Sequence, residues 1–364
     1  MTASPRVEIL LLNWNGWRDT VACLESVFAL DYPEFGVTVC DNASTDDSVD
    51  HIEAWARGEV HVEPDFALPL RQWSDDRVGP LRYRTLDRAA AESGEDVGDA
   101  ELVIIRTGGN LGFSGGNNVG LRHILARGGA RYIWLLNNDT VVAPDSLSHL
   151  VQRAERDESV GGVGATVLEY SEPDVVQYLG GASFAPWRGR IALLGKGQPA
   201  SAPRPEPARL DYISGGCLLI RADAFERVGL LDERFFMYSE DADFCFCLRD
   251  AGYRLALAAD AEIWHKGGAS SVPGSPLHDY HNLVGNLLVM RKHHPWHMPF
   301  TVPYALYRYL APRIVRGEWQ RAAAIARAFL DVARGETGVL TAQRPSAAPT
   351  RPALREPVVS AESS

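Results

Sequence analysis

Three places in this chain set a carboxylate where an apolar run gives way to polar residues. Residues 132–142 read YIWLLNNDTVV, a β-branched and aromatic run that stops at Asn137, Asn138 and Asp139. Such a run predicts a buried strand of a parallel sheet, and ligands of open α/β sheets bind in the crevice beyond the strand carboxyl ends. Asp139 is therefore the first candidate for a metal or phosphate-side ligand, although the same triplet also suits a plain turn. Asp41 closes the apolar run 37–40 in the same way. In residues 231–253, LDERFFMYSEDADFCFCLRDAGY, Ser239 precedes Glu240, Asp241 and Asp243 at the start of a helical pattern. With Ser239 as N-cap, acids in that first turn are favoured by the helix dipole on structural grounds alone. The same dipole holds a carboxylate ionised, as a general base must be. His265 follows Trp264, and imidazole serves either as a satisfied polar group or as a ligand. The pair Gly215–Gly216 lies in the strand pattern 212–221, marking a bulge or a close approach to something bound.

These positions need a scaffold, and the pattern supplies one. An apolar strand at 7–12 runs into Asn13-Trp14-Asn15-Gly16, and Val21, Leu24, Val27 and Phe28 follow at helical spacing. Strand 37–40 leads to a helix carrying Ile52 and Trp55, with Ser44 and Asp46 as its expected caps. This βαβα rhythm predicts a parallel sheet with right-handed crossovers. Residues 58–100 break it with ten acids and five arginines, and read as an insertion. Strand 102–105 is followed by TGGNLGFSGG at 107–116, then a helix with Val119, Leu121, Ile124 and Leu125. Glycines there let backbone approach a ligand where helix N–H groups attract phosphate, but the stretch is neither a Walker loop nor a full GxGxxG. A helix from about Pro144 and a strand at 161–168 come next. Residues 170–210 read as irregular, with an exposed proline-rich stretch at 198–208. Strand pieces at 253–258 and 262–264 precede a helix at 279–294.

Composition bounds the function. The 364 residues are 46% hydrophobic with a net charge of −11 and a pI near 5.4, which excludes a general nucleic-acid binder. With 33 arginines against three lysines, an arginine is weak evidence of a special role. The five cysteines lack metal-site spacing and no signal peptide precedes them, which predicts buried thiols in a reducing cytoplasm. No run of 18 apolar residues predicts a transmembrane helix. Residues 290–334 carry eight basic against two acidic side chains, interleaved with Trp296, Phe300, Tyr304, Tyr307, Tyr309 and Trp319. That mixture suits an anionic membrane surface or a helix pair packed on the domain with a solvated basic face. Beyond Leu340 the Ala, Pro, Ser and Arg composition predicts disorder.

In chain order the motifs run NWNG, DNASTDDS, NLGFSGGNNVG, LNNDT, LDERFFMYSEDADFCFCLR and WHKGG. That order resembles the family 2 glycosyltransferases of the GT-A fold, more narrowly the rhamnosyltransferase-like and galactofuranosyltransferase-like enzymes, over about residues 7–271. The resemblance implies an α/β fold with a mostly parallel sheet flanked by helices. A Rossmann-like nucleotide-sugar half at 1–168, holding the 58–100 insertion, would be fused to an acceptor and catalytic-base half at 169–290. C-terminal helices at 291–337 and a disordered tail at 338–364 would follow. It also implies inverting transfer of a sugar from a nucleoside diphosphate donor to an acceptor hydroxyl. Asp41 would contact the nucleobase, and Asn13, Asn110, Gly112, Gly115, Asn117 and Asn138 would serve the donor nucleotide. Asp139 and His265 would ligate Mg²⁺ or Mn²⁺, Asp241 would be the general base, and Gly215, Gly216 and Glu240 would face the acceptor. Asn137 replaces the first acid of the family's Asp-x-Asp, leaving the metal one charge fewer. The donor implied first is dTDP-rhamnose and second a UDP-sugar. The acceptor implied is a glycan or lipid-linked saccharide of surface polysaccharide synthesis, with the enzyme cytoplasmic or peripheral on the membrane's inner face. A sugar nucleotidyltransferase would need a triphosphate loop where this chain has NWNGW. A non-catalytic glycan-binding or partner-binding descendant would lack Asp139 or Asp241, and both are present.

Overall fold

The computed structural model describes residues 4–60, 80–267 and 274–335. Its central strand is β5 (Tyr132–Asn137), in which Tyr132, Ile133, Trp134 and Leu135 are at most 1% exposed. A strand apolar on both faces must be covered on both. β1 (Val7–Asn13) lies parallel beside it, and β2 (Phe35–Asp41), β4 (Leu102–Arg106) and β3 (Tyr83–Asp87) continue outwards, each parallel to its neighbour. On the other side the sheet is mixed. β12 (Cys217–Arg221) runs antiparallel between β5 and β7 (Val160–Glu169). β13 (Arg254–His265) is parallel to β7, and β6 (Thr140–Val142) closes that edge antiparallel to β13.

Alternation along the strands feeds two cores. Leu10, Ile133 and Leu135 pack with the helices Gly112–Arg127, Glu240–Asp250 and Pro276–His293. Ile9, Leu11, Trp134 and Leu136 pack with Trp17–Phe28, Ser48–Ala56 and Ser146–Glu155 on the opposite face. The register then aligns the strand ends. Asn13 is opposite Asp41, Leu12 opposite Asn137, and Cys217, at the start of antiparallel β12, opposite Leu136. His265 ends β13 opposite Thr140 and Glu169. One sheet edge therefore receives candidates from five strands or their flanking turns.

Several local expectations change. The 58–100 insertion contributes edge strand β3 and the short helix Arg88–Glu92. Residues 170–210, expected to be irregular, hold β8 (Val176–Leu179), β9 (Gly181–Ala185) and β10 (Arg190–Leu193). β8 pairs with β7, while β9 pairs with β10 and with β11 (Tyr212–Ile213). Runs of four or five residues are too short for their period to register in sequence. The two strand pieces expected at 253–264 are one strand, bulged between Ala258 and Glu262. The second half of the glycine-rich stretch is helix, starting at Gly112, and a Cβ at Gly116 would lie 2.5 Å from Leu12 Cδ1. Those glycines let a helix sit directly on β1.

The helix Trp319–Arg334 packs along Pro276–His293, with the Tyr280 hydroxyl donating to Asp331 Oδ2 at 2.6 Å. The basic, aromatic segment is thus in part a helix pair packed on the domain. Among the described residues no helix is long and apolar enough to cross a membrane. The tail expected to be disordered lies, from residue 336, outside the described residues.

Candidate active site

At the end of β1, Asn13 Nδ2 donates to Asp41 Oδ1 at 2.8 Å, while the Ser44 N–H donates to Asp41 Oδ2 at 3.0 Å. Thr20 Oγ1 donates to Asn13 Oδ1, and Asn138 Nδ2 donates to Thr20 Oγ1, both at 2.8 Å. The ends of three strands are thereby held as one polar surface. Ser44 is not a helix cap: its hydroxyl accepts from the Asn15 N–H at 2.8 Å and from Asn13 Nδ2 at 3.1 Å. Asp46 accepts from the Ser48 hydroxyl, and Asp47, the N-cap residue of the helix Ser48–Ala56, makes no side-chain cap hydrogen bond.

Asn42 Oδ1 accepts from the Leu111 N–H, Asn110 Oδ1 from the Gly112 N–H, and the Phe236 carbonyl from the Phe113 N–H. These bonds engage the N–H groups expected to attract phosphate at that helix start. A pocket of about 60 Å³ remains there, between Trp14, Asn42, Asn110, Gly112, Phe113 and Phe236. Gly115 lies in the first turns of the helix against Leu111, and Asn117, buried, donates to the Phe113 carbonyl at 2.9 Å.

Beyond β5, Asp139 Oδ1 stands 3.1 Å from His265 Nε2, and Asp139 is only 7% exposed. Burial alone would push its carboxyl up, but the charge and hydrogen bond of His265, with Lys266 nearby, outweigh this and lower it. The opposite ring nitrogen, His265 Nδ1, lies 2.8 Å from Gln177 Oε1. An amide oxygen only accepts, so Nδ1 carries a hydrogen and Nε2 is the nitrogen that faces Asp139, free to ligate a cation once it carries no proton. A carboxylate oxygen converging with an imidazole nitrogen whose far side is fixed by an outer acceptor is a donor set that fits a divalent cation.

Gly215 and Gly216 join this corner to the second acid cluster. The Gly215 N–H donates to Asp241 Oδ2 at 2.9 Å, and the Ala242 N–H to Asp241 Oδ1 at 2.7 Å. A Cβ at Gly216 would lie 2.6 Å from the Tyr178 hydroxyl and 3.7 Å from both Asn137 Nδ2 and His265 Cε1. Only a hydrogen fits there. Asp241 sits half-buried at the start of its helix, and burial raises its carboxyl although the backbone N–H groups of Gly215, Ala242 and Asp241 itself oppose the shift. Ser239 does not cap that helix through its side chain; it adopts a left-handed φ of 69°.

Glu240 is 7% exposed and its Oε2 has no hydrogen-bond partner. Burial, then the neighbouring Asp241 charge, raises its carboxyl well above the usual range. Below the unfolded-chain value of about 4.3 both states hold the proton. Above it the unfolded chain ionises first and folding loses up to about 1.4 kcal/mol per pH unit. Glu240→Gln removes that loss, so the melting temperature of the variant relative to wild type is expected to rise between pH 5 and pH 8. An offset that does not change with pH would show that Glu240 is ionised in the native protein.

Asp243 points elsewhere. Its Oδ2 takes Lys292 Nζ at 2.7 Å and its Oδ1 takes His293 Nε2 at 2.8 Å, with Cys247 beside them. Burial opposes a charge on His293, but the Asp243 and Cys247 hydrogen bonds outweigh it and raise the imidazole to about 9. The cluster joins the helix Glu240–Asp250 to Pro276–His293. Gln177, Tyr178, Asn42 and Thr20 are site residues that the sequence reading did not name.

Residues 84–275 match the model of the family described as glycosyltransferase like family 2. The chain belongs to that family. As a glycosyltransferase it is 29% identical over 216 residues to the N-acetylglucosaminyl-diphospho-decaprenol L-rhamnosyltransferase of Mycobacterium tuberculosis, covering 54% of this chain and 69% of that one. It is 30% identical over 156 residues to the low-salt glycan biosynthesis hexosyltransferase Agl10 of Haloferax volcanii, covering 41% of this chain and 47% of the relative. Its fold resembles that of GalNAc-T7, solved with UDP, GalNAc and Mn²⁺, at a TM-score of 0.54 and 11% identity over 92% of this chain and 57% of the other. The mostly parallel sheet with flanking helices is the GT-A arrangement expected of such transferases.

Proposed function

We propose that this glycosyltransferase moves a sugar, with inversion, from a nucleoside diphosphate donor to a hydroxyl of a lipid-linked saccharide in glycan biosynthesis. The rhamnosyltransferase relative makes dTDP-rhamnose the first donor to test and a UDP-sugar the second. The observation that carries this reading is the Gly215–Gly216 wall: Asp241 is bound to Gly215, while Gly216 faces the Asn137 and His265 end of the Asp139 corner. In this reading the Asp139 side of the wall takes the anionic diphosphate and the Asp241 side the nucleophile.

In this reading Asn13, Asp41 and Asn138 orient the nucleotide end of the donor, with Asn110 and Gly112 at the wall of the neighbouring pocket. Asp139 and His265 would hold Mg²⁺ or Mn²⁺, which supplies positive charge to offset the charge growing on the departing diphosphate. Asp241 takes the acceptor hydroxyl proton as that oxygen bonds to the anomeric carbon and the bond from carbon to the diphosphate oxygen breaks. Attack from the face opposite the leaving group inverts the centre, the transfer counterpart of inverting hydrolysis. Tyr178 is buried beside Gly216, and burial raises its phenol, so it stays neutral and can donate.

Calorimetric titration of UDP, dTDP, GDP and ADP, with and without Mn²⁺, tests the reading. Binding of dTDP or UDP that strengthens with Mn²⁺ is expected. Absence of binding by all four nucleotides would reject a nucleoside diphosphate donor.

A further inference from the structure

Among the described residues, most of the large apolar side chains left in solvent fall in one stretch of the chain. Trp296 is 89% exposed, Phe300 67%, Tyr307 74%, Val315 85% and Trp319 66%, all within the run of short helical pieces between Pro295 and the start of Trp319–Arg334. The same run turns Thr301 and Ala305 inward, at 2% and 3% exposed. It therefore has an inner face docked on the protein and an outer face with no described covering. A fifth exposed aromatic, Trp187, comes from a distant part of the sequence. It lies in the turn Pro186–Arg188, which Thr301 Oγ1 holds through the Pro186 carbonyl at 2.8 Å and Asn286 Nδ2 through the Gly189 carbonyl at 2.7 Å.

Charge selects the occupant. On a chain of net charge −11, residues 295–330 carry five arginines against one acid, Glu318. Arg308 and Arg316 are exposed beside the aromatic residues, and Arg188 stands 4.0 Å over the Trp187 ring. Tryptophan and tyrosine with arginine, on short pieces broken by Pro303, a π-turn and Pro312, suit a segment lying in the plane of a headgroup layer rather than one that spans it. We propose that this outer face, with Trp187 at its border, docks the transferase onto an anionic phospholipid bilayer.

The fold gives that contact a reach, a point that rests on the lipid-linked acceptor proposed above. β9 starts beside β11, where Gly181 is opposite Ile213, and Gly215 binds Asp241 two residues further on. It ends at the turn that carries Trp187. Five residues of strand span about 16 Å, so the base stands roughly one strand length from the lipid contact. An acceptor saccharide attached to a membrane-embedded lipid carrier would have to rise only that far.

Flotation of the full chain with vesicles of phosphatidylglycerol and phosphatidylcholine, against phosphatidylcholine alone, tests the docking. The protein is expected to float with the anionic vesicles and to be released in 0.5 M salt. Trp296→Ser/Phe300→Ser/Tyr307→Ser is expected to lower partitioning at least tenfold, and Arg308→Glu/Arg316→Glu to abolish the preference for anionic lipid. Brominated lipid should quench tryptophan fluorescence of the wild type. Failure to float, or flotation unchanged in the aromatic variant, would overturn the proposal. So would light scattering that shows a wild-type dimer and a monomeric aromatic variant, since a second copy would then cover the face. Nucleotide titration of the same aromatic variant separates the two readings: the donor site is expected to bind as in wild type whichever way flotation comes out.

Discussion

Asp241→Asn is expected to lower kcat by about 10³-fold, inside the 10²–10⁴ range of a positioned general base, while nucleotide affinity stays essentially unchanged. Asparagine keeps the size of the side chain and one oxygen for the Gly215 N–H, so the wall at 215–216 survives; proton acceptance is lost, together with the second oxygen that meets the Ala242 N–H. The wild-type pH profile carries a second signature. Burial raises the Asp241 carboxyl, so the acidic limb of kcat is expected above the ordinary carboxylate range, with activity falling as pH drops through it. The variant's residual activity should lack that limb. Steady-state kinetics from pH 4 to 8 decide the matter. Turnover retained in Asp241→Asn would pass the role to Glu240, since Asp243 is engaged by Lys292 and His293.

The second large effect is Asp139→Ala. It is expected to erase the Mn²⁺-dependent part of nucleotide binding and to lower kcat/KM by about 100-fold or more, because the diphosphate then departs with less charge compensation. His265→Ala should act in the same direction. Gln177→Ala should give a smaller loss, about tenfold in metal affinity, as befits an outer group that only orients the imidazole. Titrating Mn²⁺ against each variant at fixed nucleotide measures all three. Equal nucleotide affinity with and without Mn²⁺ in the wild type would remove the metal from Asp139 and His265 altogether.

The parts of this site that were legible in the sequence are those where an apolar run stops on an acid. Asp41, Asp139 and Asp241 are of that kind, because strand burial and helix starts leave strong local patterns. Tyr178 and Gln177 left none. They sit on a four-residue strand whose partners, Gly216 and His265, are distant in sequence, and neither residue type is unusual in a loop. Ser44 was misread for a different reason. A serine hydroxyl accepts equally well from a helix N–H or a turn N–H, and only tertiary structure brings Asn15 to it. The glycines at 112–120 were legible as a requirement for close approach, but what approaches Gly116 is the side chain of Leu12.

Gly216 also limits how the enzyme can be redesigned. Tyr178, Asn137 and His265 close in on it together, so even a methyl group there would collide with the Tyr178 hydroxyl. A saturation library at position 216 would return wild type or inactive protein. Attempts to retrain this transferase on a new acceptor should leave position 216 as glycine.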